Sequence, residues 1–133
     1  MNDKERGELV AYRLEKAKKT LQEVDVLFGN QLWNTAINRL YYACYYAVSA
    51  ILAKEKIMAQ THSGTRQMFG LHFVKTGLVD KELGKFYSDL FDKRQTGDYD
   101  DFIDLKEEDV LSFWEPAKKL LLTIEKLSTN PSP

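Results

Sequence analysis

An arginine continues an apolar stripe in the second half of the chain. The apolar positions follow one another at steps of four and three residues: Leu83, Tyr87, Leu90. Arg94 comes four residues later, on the same face of a predicted α-helix. The arginine therefore points inward, where it needs a charged or hydrogen-bonding partner, and Asp98 is one candidate. The alternative is an arginine whose stem packs while its head reaches water.

The segment 33–56 carries a second set of polar side chains. It has no proline or glycine, and apolar residues recur along it at helical spacing: Trp33, Ile37, Leu40, Cys44, Val48 and Ile51. The opposite face is hydrogen-bonding and aromatic: Asn38, Tyr42, Tyr45 and Ser49, with Arg39 and Tyr46 beside them. Such a helix is expected to be contacted from both sides. We predict a central helix with a core behind it and a cleft or partner surface in front.

The two helices bring together one set of candidate functional residues. Arginine matches phosphate groups bidentately, and tyrosines offer hydroxyls and stacking faces for bases. The predicted RNA- or nucleotide-binding residues are Asn38, Arg39, Tyr42, His62, Arg94 and Asp98, with Tyr99 next to them. The alternative is a buried polar network that fixes the register of the helices.

His62 lies at the start of a third predicted helix. Thr61 is a suitable N-cap, and Gly64 permits close approach of a ligand to the backbone. Helix N-termini expose N–H groups and are natural anion sites. This segment is either a ligand-contacting loop or a plain helix start with a histidine packed between helices.

The first two helices are predicted to form an antiparallel hairpin. The first runs from about Asp3 to Phe28, and Gly29-Asn30 is predicted to stop it, since glycine is able to take the left-handed conformation there. The second runs from Trp33 to Lys56 after a short connection. Basic residues on the first helix are either a solvated face or a contact for phosphates or an acidic partner: Arg13, Lys16, Lys18 and Lys19.

Three further helices are predicted. The third is weakened by Gly70 and ends at Gly77, and the fourth runs from about Asp80 to about Gln95 and is broken by Gly97. The last one opens with a capping box formed by Asp104 and Glu107, with a kink or restart at Pro116. The prediction is an all-α fold, an up-and-down antiparallel four-helix bundle plus an additional short helix.

Composition places the chain among single-domain proteins. Its 133 residues predict one domain, with a core over about 8–127 and a flexible tail over 128–133. The net charge of −1 gives no overall basic field, so any nucleic-acid site must be local. The single cysteine, Cys44, excludes an intrachain disulfide and suits a reducing compartment. No apolar run reaches the ~18 residues of a membrane span, so the protein is expected to be cytoplasmic.

Most catalytic motifs are absent. The chain has no phosphate loop, no GxSxG elbow and no H-E-x-x-H zinc motif. His62 and His72 have no obvious third ligand for zinc. Four aspartates fall within seven residues without the glycine and glutamate of a calcium loop: Asp98, Asp100, Asp101 and Asp104. We predict a solvated acidic loop, no metal and no cofactor.

Four ordered motifs resemble a small prokaryotic branch of the HEPN domains (higher eukaryotes and prokaryotes nucleotide-binding). They are NRLYYA (38–43), THSG (61–64), HFVKTG (72–77) and RQTGDYDD (94–101). The resemblance covers about residues 8–127. It implies a helical bundle with an appended helix, usually a homodimer. Many relatives are toxin-like, metal-independent ribonucleases, often encoded beside a nucleotidyltransferase that acts as antitoxin.

The resemblance assigns roles to individual residues. Arg94 matches the arginine of the family's arginine–histidine motif, and Asn38 matches a supporting polar residue on an earlier helix. The histidine is missing, because Tyr99 stands where it is expected. A phenol with a pKa near ~10 is a poorer base at neutral pH than an imidazole near ~6.5. Tyr99 is also a candidate acceptor of AMP from a nucleotidyltransferase.

Three functions follow from the sequence. The first is a HEPN-type homodimer that binds RNA or nucleotide and pairs with a nucleotidyltransferase antitoxin, without efficient cleavage of its own. The second is an active ribonuclease toxin that uses Arg94 with Tyr99 or His62. The third is a helical dimerisation module whose polar stripe is a dimer seam. The missing histidine ranks the first above the second.

Overall fold

The computed structural model describes residues 1–99 and 104–131, without the side chain of Tyr99. Throughout these two ranges the regular structure is helical, which confirms the all-α prediction. The helices are α1 (Asp3–Gly29), α2 (Trp33–Lys54), α3 (His62–Phe69), α4 (Lys81–Tyr99), α5 (Glu107–Val110) and α6 (Trp114–Thr129). A π-helical turn, Gly70–Val74, follows α3, and a 3₁₀ turn, Leu111–Phe113, joins α5 to α6.

The four long helices α1, α2, α4 and α6 form an up-and-down bundle. Side-chain contacts pair residue 13 with 49 and residue 23 with 39, so α1 and α2 run antiparallel. Residues 34 and 41 of α2 meet residues 97 and 87 of α4 in the same opposite sense. Contacts of residue 18 with 125 and of 28 with 114 set α6 antiparallel to α1. The predicted four-helix bundle is thus confirmed, with α3 and α5 as short additions.

Helix α2 is the centre of the bundle, as its pattern predicted. It contacts every other helix. Its buried face includes Ile37, Leu40, Cys44, Val48 and Ile51, each at most 1% exposed. Burial raises the pKa of the Cys44 thiol, which leaves it protonated and inert at neutral pH.

Helix α1 ends within one residue of its prediction, but the left-handed residue beyond it and the end of α2 differ from the prediction. Gly29 is the last residue of α1, and the left-handed residue is Gln31, with φ 57°. Helix α2 ends at Lys54 rather than Lys56, because Lys56 adopts φ 60°. The next amide turns back, and the N–H of Ile57 donates to the carbonyl of Leu52 at 2.9 Å, a C-terminal cap that satisfies an end carbonyl.

The third helix follows its sequence pattern. The hydroxyl oxygen of Thr61 accepts a hydrogen bond from the N–H of Gly64 at 2.8 Å, which confirms the predicted N-cap. The α-helical pattern stops before Gly70, where the backbone changes to the π-helical turn. Gly77 has φ 85°, a left-handed conformation that favours glycine.

The predicted break of the fourth helix at Gly97 is wrong. Helix α4 continues through Gly97 to Tyr99. A Cβ at this position would lie 3.0 Å from Leu105 Cδ1 and 3.3 Å from Ile37 Cγ2, so glycine permits close packing here. The Gly97 carbonyl also accepts a hydrogen bond from Asn34 Nδ2 at 3.1 Å. These tertiary contacts offset the weak helix propensity of glycine.

The last helical segment starts differently from its prediction. Asp104 does not cap it: α5 begins at Glu107, and the N–H of Lys106 donates to Asp109 Oδ2 at 2.8 Å. The predicted restart near Pro116 is confirmed, since α6 begins at Trp114 and the proline lies in its first turn. Backbone N–H groups in the first turn have no partner within the helix, so the N–H that proline lacks is not needed there. Helix α6 continues into the segment 128–133 that was predicted as a tail.

Two other predictions concern the acidic segment and the possibility of a membrane span. The acidic segment from Asp98 to Asp104 falls largely on residues 100–103, which lie outside the described residues; Asp98 itself belongs to α4. Among the described residues, no helix has the length and apolar character that crossing a bilayer requires.

Candidate functional site

Arg94 lies in the interior, as its place in the apolar stripe predicted. It is 5% exposed. Its guanidinium carbon lies 4.8 Å from the centroid of the Tyr41 ring and 5.8 Å from that of Tyr42, both on α2. A cation over aromatic rings is attracted by their negative faces, and more strongly where water is excluded. Two tyrosine rings of α2 therefore pack against the guanidinium group of Arg94 on α4.

Asp98 links the two helices. Its Oδ2 lies 3.4 Å from Arg94 Nη1, one helical turn earlier on α4, and accepts a hydrogen bond from Asn38 Nδ2 at 2.8 Å. The carboxylate compensates the buried positive charge, and the amide holds the carboxylate in place. The structure thus brings Asn38, Arg94 and Asp98 together as the sequence predicted.

His62 joins this cluster from α3. Its Nδ1 is hydrogen-bonded to the hydroxyl of Tyr41 at 2.8 Å, with the donor set by the tautomer of the imidazole. Its ring centroid lies 4.4 Å from that of Tyr45 and 5.5 Å from that of Tyr42. The histidine of α3 therefore packs against α2, beside the Tyr41 ring that also contacts Arg94, while the predicted ligand contact stays a prediction.

The protonation states of His62 and Tyr41 follow mainly from their burial. Burial, and then the positive charge of Arg94, lower the pKa of His62 below 6.5, so the imidazole is neutral at pH 7. Burial raises the pKa of Tyr41 to about 12, so its phenol stays protonated. The site presents a guanidinium, a neutral imidazole and tyrosine rings, groups that are chemically suited to an anion and to stacking with a base.

The remaining predicted site residues are less central. Arg39 forms an ion pair with Glu23 of α1, with Nε and Oε2 3.1 Å apart. Its guanidinium carbon is 5.8 Å from the centroid of the Tyr42 ring, the same distance as that of Arg94. The side chain of Tyr99 lies outside the described residues, and its two predicted roles, in catalysis and as AMP acceptor, stay predictions.

The sequence interpretation missed residues that build the site. Tyr41 contacts both Arg94 and His62. Asn34 of α2 binds the end of α4 and the segment after it, because its Nδ2 donates to the carbonyl of Gly97 and its Oδ1 accepts from the N–H of Leu105 at 2.7 Å. Asn34 stands four residues before Asn38 and Tyr41 three residues after it. Helical spacing was therefore the signal that could have found both.

A metal centre has no basis in the described residues. Within 1–99 and 104–131, no group of three or more histidine, cysteine, aspartate or glutamate side chains is placed to hold an ion.

The histidine offers a direct test of this geometry. We expect the pKa of His62 to lie below 6.5 and to rise, without reaching 6.5, in Arg94→Gln, because burial is the larger of its two causes. Between the folded pKa and 6.5 the unfolded chain holds more protons, so His62 contributes a loss of stability as the pH falls through this window. NMR titration of the imidazole resonances, assigned with His72→Gln, measures the pKa. A value at or above 6.5 would contradict the contact.

Comparison with known proteins identifies the family of this chain. The family model described as "HEPN domain" matches residues 10–127. A "UPF0332 protein" of Thermotoga maritima is 41% identical over 127 residues, which cover 96% of this chain and 95% of the relative. Two proteins of Methanocaldococcus jannaschii are also similar. "Putative toxin MJ0142" is 36% identical over 72% of this chain and 65% of its own. "Putative toxin MJ0605" is 31% identical over 65% of this chain and 64% of its own.

Proposed function

The chain belongs to the HEPN domain family, and we propose that it is a homodimeric, toxin-like protein that binds RNA or nucleotide. We further propose that it pairs with a nucleotidyltransferase that acts as antitoxin. The observation that carries the proposal is the buried guanidinium of Arg94, held by Asp98 and seated on Tyr41 and Tyr42.

The electrostatics of Arg94 favour an anionic ligand. The Arg94–Asp98 contact is long, at 3.4 Å, whereas Asp98 accepts from Asn38 at 2.8 Å. A phosphate could therefore compete for the guanidinium while the amide of Asn38 retains the carboxylate. Phosphates accept parallel N–H bonds from the fork of a guanidinium, and a neighbouring tyrosine ring suits a base.

The names of two relatives support the toxin-like part of the proposal, since both are called putative toxins. The nucleotidyltransferase partner and the homodimer come from the family resemblance of the four sequence motifs. In a dimer, two copies of Arg94 could meet in one cleft.

The position of His62 favours a second candidate function, the cleavage of RNA. The neutral imidazole next to Tyr41 could take the proton of a 2′-hydroxyl as that oxygen attacks the adjacent phosphorus. The bond between phosphorus and the 5′-oxygen would break, the 5′-oxygen would take a proton from water, and Arg94 would stabilise the charge on the phosphorane oxygens. The products are a 2′,3′-cyclic phosphate and a 5′-hydroxyl end. In this mechanism His62 takes the place of the histidine that the motif lacks.

Binding to a fluorescein-labelled single-stranded RNA of ten nucleotides tests the proposal. We expect fluorescence anisotropy to report binding whose affinity falls linearly with salt on logarithmic axes, because phosphate contacts release counterions. Light scattering after size-exclusion chromatography should give the mass of a dimer. Absence of RNA binding at low salt, or a monomer at high concentration, would contradict the corresponding part.

The same RNA distinguishes the second candidate. Metal-independent cleavage in the presence of EDTA, with products ending in a cyclic phosphate and with loss of activity in His62→Gln, would support cleavage. Intact RNA after prolonged incubation with the wild-type protein would exclude it for this substrate.

A further inference from the structure

A cleft of about 330 Å³ lies between α1 and the second half of α2. Two basic and three aromatic side chains line it: Tyr12, Arg13, Lys16, Tyr45 and Tyr46. Its volume falls within the range of small-molecule sites, roughly 300–1,000 Å³. The sequence alone did not decide whether the basic residues of α1 form a solvated face or contact phosphates or an acidic partner.

The positive charge of the cleft is not neutralised by the described residues. No aspartate or glutamate is among its lining residues, and within 1–99 and 104–131 neither Arg13 nor Lys16 forms an ion pair with a carboxylate. By contrast, Lys18 on the same helix is paired with Glu125 at 2.8 Å. The field in this cleft therefore favours an anion.

The cations are positioned rather than loosely solvated. Arg13 Nη1 donates to the backbone carbonyl of Ser49 at 3.1 Å, which fixes the guanidinium at the wall of the cleft. Lys16 Nζ lies 4.7 Å from the centroid of the Tyr46 ring and 5.9 Å from that of Tyr12. Tyr12 is 64% exposed, so most of its ring is available for stacking.

Tyr45 connects the cleft to the candidate site. It lines the cleft, and its ring centroid lies 4.4 Å from that of His62 and 6.0 Å from that of Tyr41, over which Arg94 sits. The two sites share this one tyrosine as a common wall. An RNA strand bound at both Arg94 and the cleft would pass Tyr45.

We propose that this cleft is a second nucleotide subsite for single-stranded RNA, and this inference rests on the proposed RNA-binding function. Arg13 and Lys16 hold a phosphate further along the strand than the one at Arg94. A flanking base stacks on Tyr12 or Tyr46, because base–aromatic stacking accepts every base. The substrate is thus a strand of at least two nucleotides, rather than a lone mononucleotide.

The test uses the same labelled ten-nucleotide RNA and three variants of α1. We expect Lys16→Gln to weaken binding about tenfold at low salt and to lower the slope of log affinity against log salt by about 0.7, the value for one phosphate contact on a single strand. Tyr12→Ala should weaken binding about fivefold or more through lost stacking. Lys19→Gln is the matched control. It makes the same charge change at an exposed position outside the cleft, and it should stay within about twofold of the wild type.

The possible outcomes distinguish failure of the second subsite from failure of the proposed RNA binding. If Lys16→Gln and Lys19→Gln behave alike while Arg94→Gln loses binding, the subsite is overturned and the proposed function stands. If the wild-type protein does not bind RNA, both are overturned. A large effect of Lys16→Gln and Tyr12→Ala with little effect of Lys19→Gln establishes the subsite.

Discussion

Arg94→Gln should bind the ten-nucleotide RNA roughly 10- to 100-fold more weakly than the wild type, since hydrogen bonds to charged groups contribute about 1.5–3 kcal/mol. Glutamine keeps a polar side chain of similar reach but loses the positive charge and the fork of N–H donors. Because Arg94 is only 5% exposed, a phosphate that reaches its guanidinium is largely desolvated, and the interaction is stronger than at an open surface.

The substitution also removes the charged partner of Asp98, which keeps its hydrogen bond from Asn38, so folding must be measured beside binding. Breaking a fully buried ion pair costs about 3–5 kcal/mol, and the cost here is smaller because the Asp98 side chain is 22% exposed. Circular dichroism and a thermal melt would show whether the variant is folded at the assay temperature. Arg94→Lys is the control that keeps the charge without the planar fork. A folded Arg94→Gln protein with wild-type affinity would refute the site assignment.

The sequence was sufficient for the core and for the direction of Arg94. Both depend on helical periodicity, which is local: Leu83, Tyr87 and Leu90 are buried at the predicted spacing, and Arg94 continues their stripe. The capping of α3 by Thr61 was also predictable, because a cap bonds to residues a few positions away.

The sequence was insufficient where a distant contact decides the outcome. Gly97 has a poor helix propensity, yet α4 continues through it because Leu105 and Ile37 pack where a side chain would stand. The contact between Tyr41 and His62 joins residues 21 positions apart, and that between Arg39 and Glu23 joins two helices. Helical spacing shows which face a residue occupies, but it does not identify the neighbour that faces it.

Leu40→Ala should lower the free energy of unfolding by about 2–5 kcal/mol, the range for leucine truncation in a packed core. Leu40 is 0% exposed on α2, the helix that contacts all the others. Loss of its methyl groups leaves a cavity in the core that the packed neighbours cannot close without moving. Since single domains are stable by about 5–15 kcal/mol, this one change removes a large fraction of the total. Urea denaturation followed at 222 nm measures it.

Leu122→Ala is the matched control, since Leu122 is 60% exposed on α6 and its truncation should change stability by less than about 0.5 kcal/mol. All variants must be compared at one protein concentration, because unfolding of a dimer depends on it. Similar losses for Leu40→Ala and Leu122→Ala would show that α2 is not the centre of the core. Asn38, Tyr41 and Tyr42 would then lack a rigid support, and the geometry around Arg94 would lose its physical basis.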